Sequence, residues 1–406
     1  MNRSKYRDVL ALIIAAEFAV AGCSAPGRLP AVPLASVSET SEDFGPIRFL
    51  VSRETTTFAE AAKAAVVREQ NWLASQGRST TDLPTSNFLA ISGGGDNGAY
   101  GAGFLNGWTA SGTRPEFKVV TGISTGALIA PFAFLGPKYD HVLREVYTNT
   151  SQKDIFKKRG LIKALFGESM ADTAPLAKVI ESYVTRQFLD EVAAEYAKGR
   201  ILLVGTTNLD SLEPVIWNMG AIAASKDPRA VRLFRRLLLA SASIPGAFPP
   251  VMIDQTINGQ HYQEMHVDGG TMTQVFLYPP SINVAGMPSR KRVLYVIRNA
   301  RLDPDWASTD RRTMTIAARA IESLTMTQGV GDLYRIYSTT ERDGIDFNLT
   351  YIPPTFNAPR KEQFDTQYMR ALYDVGFEAA KAGYSWQKYP PGFSSPSHAS
   401  SQPAPR

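Results

Sequence analysis

Ser124 lies in Gly122-Ile123-Ser124-Thr125-Gly126, between the apolar run Phe117–Thr121 and the apolar stretch Thr125–Leu135. The run predicts a strand and the stretch a helix, so this G-x-S-x-G falls on a strand-to-helix turn. That context can turn a serine into a nucleophile. Gly122 and Gly126 remove the Cβ atoms that would forbid so sharp a corner. The hydroxyl then stands over the N-terminus of the helix, whose positive end favours a developing oxyanion. An ordinary turn with Ser124 as helix N-cap fits the same five residues.

A second chemistry-bearing stretch is Ser92-Gly93-Gly94-Gly95-Asp96-Asn97-Gly98, after the predicted strand 87–91 and before a predicted helix from Ala99 to Ala110. Consecutive glycines let several backbone N–H groups converge on one anion, either a phosphate or the oxyanion of acyl transfer. A phosphate loop would need Gly-Lys-Ser/Thr next, which is missing. Gly93-x-Gly95-x-x-Gly98 has dinucleotide-loop spacing, but Asp96 would repel a pyrophosphate. A plain glycine turn remains open on these residues alone.

The third is Asp268-Gly269-Gly270, at the end of a predicted strand over 262–267. A carboxylate there could take a proton from Ser124 directly, given partial desolvation and hydrogen-bond reach. A turn is the competing reading. His266 shares a strand face with Asp268 and is read chiefly as structural. A Ser…Asp…His order would need a histidine after the acid, and only His398 follows. His261, Glu264 and His266 lack a known metal-ligand spacing, so no metal and no other cofactor is expected.

The elements that must position these groups alternate between strand and helix. Unbroken apolar strands are expected at 87–91, 117–121, 200–207, 213–217, 262–267, 292–298 and 347–352. Helices are expected at 58–75, 99–110, 125–135, 230–240, 309–334 and 361–382, with 138–198 all helical. This predicts an α/β fold whose mostly parallel sheet is covered on both faces, with the motifs at the carboxyl ends of its strands. The 406 residues are 44% hydrophobic and 20% charged, which excludes a mostly disordered chain. A net charge of +5 over so large a surface gives no case for nucleic acid.

The ends read differently. Residues 1–22 carry a basic start and an apolar run from Val9 to Ala21, a signal peptide closing on Val20-Ala21-Gly22-Cys23. That closing resembles the lipobox of bacterial lipoproteins, which implies a chain anchored to membrane through lipidated Cys23. Ser24 after it, by resemblance to Gram-negative sorting, points to the outer membrane. Residues 23–46 are expected to be a flexible tether, 47–389 one catalytic domain and 390–406 a disordered tail. Lys153–Phe166 interleaves basic and apolar residues; it fits an ordinary amphipathic helix first and a membrane-facing flap second. Arg232, Arg235 and Arg236 are expected on a half-buried helix with their charged heads in water.

Together the three motifs resemble the patatin-like phospholipase family. Gly93–Gly98 looks like its oxyanion loop, Gly122–Gly126 like its nucleophile elbow, and Asp268-Gly269-Gly270 like its catalytic Asp-Gly-Gly box. Ala240–Pro250 resembles its Ala-Ser-x-x-x-Pro-x-x-Phe-Pro-Pro stretch. The resemblance spans roughly residues 87–280 and implies a three-layer α/β/α fold. It implies a Ser124–Asp268 dyad cleaving acyl esters of phospholipids or related lipids without a metal. It also implies an oxyanion hole from the N–H groups of Gly93, Gly94, Gly95 and Thr125. The family usually has Lys or Arg where this chain has Asn97, and often Asp where it has Ser92. Asp96 is expected to face solvent. The alternatives are a Ser-His-Asp esterase and a non-catalytic lipid-binding envelope lipoprotein; no protein partner is indicated.

Overall fold

In the computed structural model, residues 27–394 are described, apart from 40, 43, 52–54, 160–167, 283 and 305. The signal peptide, Cys23, His398 and the last twelve residues of the expected tail lie outside the described residues.

Five parallel strands form the centre of one sheet, in the order β6 (Ile201–Asn208), β3 (Val119–Ile123), β2 (Ser86–Ile91), β10 (Arg292–Arg298) and β11 (Asp346–Tyr351). Beyond β6 the sheet turns antiparallel, through β7 (Glu213–Asn218) and β1 (Arg48–Leu50). A hairpin of β8 (Val251–Ile257) and β9 (Gln260–Asp268) also joins β6, through β9. The period-two alternation of a strand assigns side chains to faces. On β2, Phe88 and Ala90 enter one apolar cluster with Leu294, Val296, Leu333 and Ile336. Leu89 and Ile91 enter the other, with Tyr100, Phe104 and Ala127. The helix Thr313–Asp343 covers the first face. The helices Gly98–Ala110, Thr125–Leu135 and Thr366–Lys381 cover the second. This is the expected three-layer α/β/α fold with a mostly parallel sheet.

Several boundaries differ from expectation, for physical reasons. The stretch 138–198 is not all helical: Lys157–Lys158 (β4) pairs antiparallel with Ala171–Asp172 (β5). The chain leaves its short helix Gln152–Ile155 at Phe156 in an extended conformation, so 153–158 is no continuous amphipathic helix; 160–167 lie outside the described residues. Strand β8 was not expected, although Asn258-Gly259, with φ of 51° and 71°, is the strongest short-range hairpin signature a sequence carries. The segment 27–39, expected to be tether, lies on the body. Val32 and Val37 are buried, Arg28 pairs with Asp210 at 2.7 Å, and Gln263 N–H donates to Pro30 O. Arg48 reinforces it by donating to Val37 O. Among the described residues no helix is long and apolar enough to cross a membrane.

Candidate active site

The elbow forms where β3 meets the helix Thr125–Leu135. Ser124 takes φ 53° and ψ −124°, a left-handed conformation that costs a non-glycine residue on the order of 1–3 kcal/mol and that packing must hold in place. Close approach explains its two glycines. A Cβ on Gly126 would lie 2.3 Å from Ile91 O, and one on Gly122 would lie 2.3 Å from Gly126 O. The Ser124 N–H donates to Ser241 Oγ at 3.0 Å, and Ser241 Oγ donates to Gly205 O at 2.7 Å. Ser241 thus ties the elbow to β6.

Asp268 ends β9, which β6 holds through the Thr206↔Asp268 pairing. Its N–H donates to Ser243 O, and its Oδ1 accepts from Gly270 N–H at 2.7 Å. Its Oδ2 accepts from Ser124 Oγ at 2.6 Å. Both side chains are buried, with residue exposures of 7% for Ser124 and 5% for Asp268. Burial pushes the Asp268 carboxyl up to about 7; the donors Ser124 and Gly270 pull the other way but do not outweigh it. A carboxyl that titrates near neutrality against a serine hydroxyl can act as proton acceptor near that pH.

The glycine loop lies beside this pair, since a Cβ on Gly93 would touch the Ser124 Cβ at 3.2 Å. Gly93, expected among the oxyanion donors, instead donates its N–H to Gln274 O at 3.0 Å. That bond fixes the loop and takes the donor away. The N–H groups of Gly94, Gly95 and Thr125 meet no acceptor among the described residues. Gly94 must be glycine because a Cβ there would lie 2.1 Å from Asn299 O. Asn299, at the end of β10, braces the loop: its N–H donates to Ser92 Oγ, its Nδ2 to Ser92 O, and its Oδ1 accepts from Gly101 N–H. Ser92 therefore fills a structural place where an aspartate is common.

Asp96 corrects a second expectation. It does not face solvent; it is 2% exposed, and its Oδ2 accepts from Phe364 N–H at 2.9 Å and pairs with Arg360 Nε at 2.9 Å. Burial raises its pKa, against the pull of Arg360. Asn97 Oδ1 accepts from Tyr368 OH. The cation beside this loop thus comes from Arg360, far along the chain.

His266 lies in a different network. Thr206 Oγ1 is 2.9 Å from its Nδ1, and Glu264 Oε2 is 3.2 Å from its Nε2; Trp217 Nε1 donates to Thr206, and Arg48 donates to Glu264. Burial pushes Glu264 up, but His266 and Arg48 outweigh it and hold the carboxyl below its ordinary range. Both ring nitrogens of His266 thus have partners other than Ser124 and Asp268. His261 contacts Thr256 at the surface. Among the described residues no group of three or more His, Cys, Asp or Glu could hold a metal ion.

The fold and this geometry define a three-layer α/β/α protein with a serine on a strand-to-helix elbow and a buried carboxyl against its hydroxyl. Residues 89–278 match the family model described as patatin-like phospholipase. The chain therefore carries a patatin-like phospholipase domain over these residues. Among solved structures it is similar to VipD from Legionella pneumophila, at 11% identity and a TM-score of 0.35, covering 73% of this chain and 67% of that one. It is also similar to human GIVD cytosolic phospholipase A2, at 10% identity and a TM-score of 0.33, covering 76% and 55%. A third is ExoU of Pseudomonas aeruginosa in complex with SpcU, at 13% identity and a TM-score of 0.29, covering 74% and 52%. The chain thus spans about half the length of the last two. At such identities and TM-scores these likenesses bear on neither substrate nor mechanism. No curated protein matches the chain in sequence.

Proposed function

We propose that this protein hydrolyses acyl esters of phospholipids or related lipids through a Ser124–Asp268 dyad. The observation that carries the reading is the 2.6 Å hydrogen bond from Ser124 Oγ to Asp268 Oδ2 inside a buried, glycine-lined site. Ser124 Oγ attacks the ester carbonyl while Asp268 takes its proton. The negative charge that develops on the carbonyl oxygen is held by the N–H groups of Gly94, Gly95 and Thr125. Removing one such donor typically slows an acyl transfer by about 3 kcal/mol of barrier. Asp268 returns the proton to the leaving alcohol. Water, deprotonated by the same carboxylate, then attacks the acyl-enzyme and frees the fatty acid and Ser124.

The Ser-His-Asp esterase is the less favoured reading, because His266 has both ring nitrogens in the Thr206–Glu264 network. We further propose that the chain acts at a membrane, anchored through lipidated Cys23 and sorted to an outer membrane. This part rests on the sequence around Cys23 alone. Replacing Cys23 by Ser should release the protein from membranes; unchanged association would refute the anchor.

The enzymatic reading is tested by incubating phospholipid vesicles with the native protein and with Ser124→Ala, and following fatty acid release. Release by the native protein only is expected. Equal release would refute Ser124 as the nucleophile; no release from either, together with lipid binding by both, would favour the non-catalytic lipoprotein.

A further inference from the structure

Arg229, which precedes the helix Ala230–Ser241, and Arg232 and Arg236 within it are spaced by three and four residues and share one face. That face lines a cavity of about 300 Å3 whose other wall is the hairpin of β8 and β9. Arg229 is already committed: it pairs with Asp227 at 2.9 Å and lies over the ring of Phe44 at 4.8 Å. Arg232 and Arg236 make no hydrogen bond or ion pair among the described residues. Burial draws the Arg236 guanidinium below its ordinary pKa; Asp254 pulls it back up, and Arg232 pushes it further down. Two cations thus stand side by side, one of them half-buried, with no bonded counter-ion. Asp254 is the one carboxylate among the described lining residues, and its Oδ1 accepts from Gln263 Nε2 at 2.8 Å. Glu39 and Glu42, on the segment packed against the hairpin, are held at its turn by Asn258 Nδ2 and Gly259 N–H.

We propose that this cavity is a second lipid site, away from Ser124, which binds the head-group phosphate of an anionic phospholipid between Arg232 and Arg236. The inference does not rest on the Ser124–Asp268 reading. Guanidinium forks match phosphate oxygens in pairs, and an anion between them offsets their mutual repulsion. Beside the cations the cavity is apolar, through Phe44, Leu233, Ile253 and Leu29, and Leu29 is 44% exposed. That mixture suits a phosphate joined to hydrocarbon better than a free phosphate. The chain also brings the site to a membrane. Six residues separate Leu29 from Cys23, and an extended chain of that length reaches roughly 20 Å. This argument from reach uses the Cys23 anchor; the argument from charge does not. Each arginine at an anionic surface strengthens binding about fivefold, which is too little to hold an unanchored chain on a membrane. The anchor retains the protein, and the cavity selects the lipid and sets the orientation.

The test uses full-length protein carrying Cys23→Ser and Ser124→Ala, so that neither the anchor nor hydrolysis enters. Its co-sedimentation is followed at rising lipid concentration, with vesicles of phosphatidylcholine alone and of phosphatidylcholine and phosphatidylglycerol in equal parts. Tighter binding to the mixed vesicles is expected, weakened about twentyfold by Arg232→Gln together with Arg236→Gln. Leu29→Glu, at an exposed position, should also weaken it and is the second variant should the arginine pair prove poorly folded by thermal melting. Arg78→Gln together with Lys381→Gln removes two exposed charges elsewhere and should change binding less than about threefold. Equal binding to the two vesicle compositions would overturn the site. So would an equal loss from the Arg78 and Lys381 pair, or no loss from the folded arginine pair and from Leu29→Glu. Half-displacement by inorganic phosphate below about 1 mM, at constant ionic strength, would give the cavity to a free phosphate and overturn the lipid. None of these results bears on Ser124 as nucleophile or on Cys23 as anchor, so each reading fails separately.

Discussion

Replacing Asp268 by Asn should make the protein more stable above neutral pH. Burial raises this carboxyl from 3.8 to about 7. At about 1.4 kcal/mol per pH unit, the ionised form is about 4 kcal/mol less favourable in the folded chain than in the unfolded one. Below the lower value both states hold the proton, and the group does not affect folding. Between the two values the folded state keeps the proton while the unfolded state loses it, so this contribution to stability falls as pH rises. Above about 7 the whole penalty applies. Asparagine removes the charge and keeps the shape: its Oδ1 can still accept from Gly270 N–H, and its Nδ2 can donate to Ser124 Oγ. Urea unfolding of both proteins at about pH 8.5 and about pH 5 isolates the effect. The advantage of Asp268→Asn should be roughly 3 kcal/mol larger at the higher pH. Equal stability of the two proteins at pH 8.5, or a less stable variant, would refute the claim that a carboxyl is held there against its own desolvation.

The remaining predictions follow from the same geometry. The kcat/KM for an ester should rise about tenfold per pH unit below about 7 and level off above it, because the base must be ionised; a profile flat from pH 5 to 8 would contradict that. Ser241→Ala leaves Ser124 N–H without its acceptor in a buried place, and should lower stability by about 1–3 kcal/mol and slow Ser124 labelling; thermal melting and the labelling rate check it. His266→Gln should lower stability by a similar amount, with kcat within about threefold of the native value if the dyad account holds; a hundredfold or greater loss in folded protein would restore the triad. Asp96→Ala removes the acceptor of Phe364 N–H and the partner of Arg360 and should destabilise by about 2 kcal/mol, read by urea unfolding.

What the sequence made legible was local. Strand β2 could be read from Asn87 to Ile91, and the elbow from two glycines flanking a serine, because each is fixed by neighbours a few residues away. The hairpin of β8 and β9 is equally local, since Asn258-Gly259 carries it. What could not be read depends on distant chain. Ser241 meets Ser124 across 117 residues. Arg360 and Phe364 reach Asp96 from far along the chain, so a carboxylate expected in water is buried and paired with a partly exposed arginine. Gln274 claims the Gly93 N–H, so a glycine of the right type in the right loop is not a free donor. Asn299 braces that loop from the end of β10 with no local pattern to mark it. The segment 27–39 is Pro-rich and weakly patterned, yet lies on the body through Val32, Val37 and the Arg28–Asp210 pair.

The proposed catalysis requires Ser124 to be a nucleophile activated by Asp268. Its most direct measurement is mass spectrometry of the folded protein after treatment with a fluorophosphonate, for the native chain and for Asp268→Asn. A single phosphonyl adduct on Ser124 in the native protein, slowed at least a hundredfold in Asp268→Asn, is the expected result. An unmodified Ser124, or equal labelling of both proteins, would contradict it.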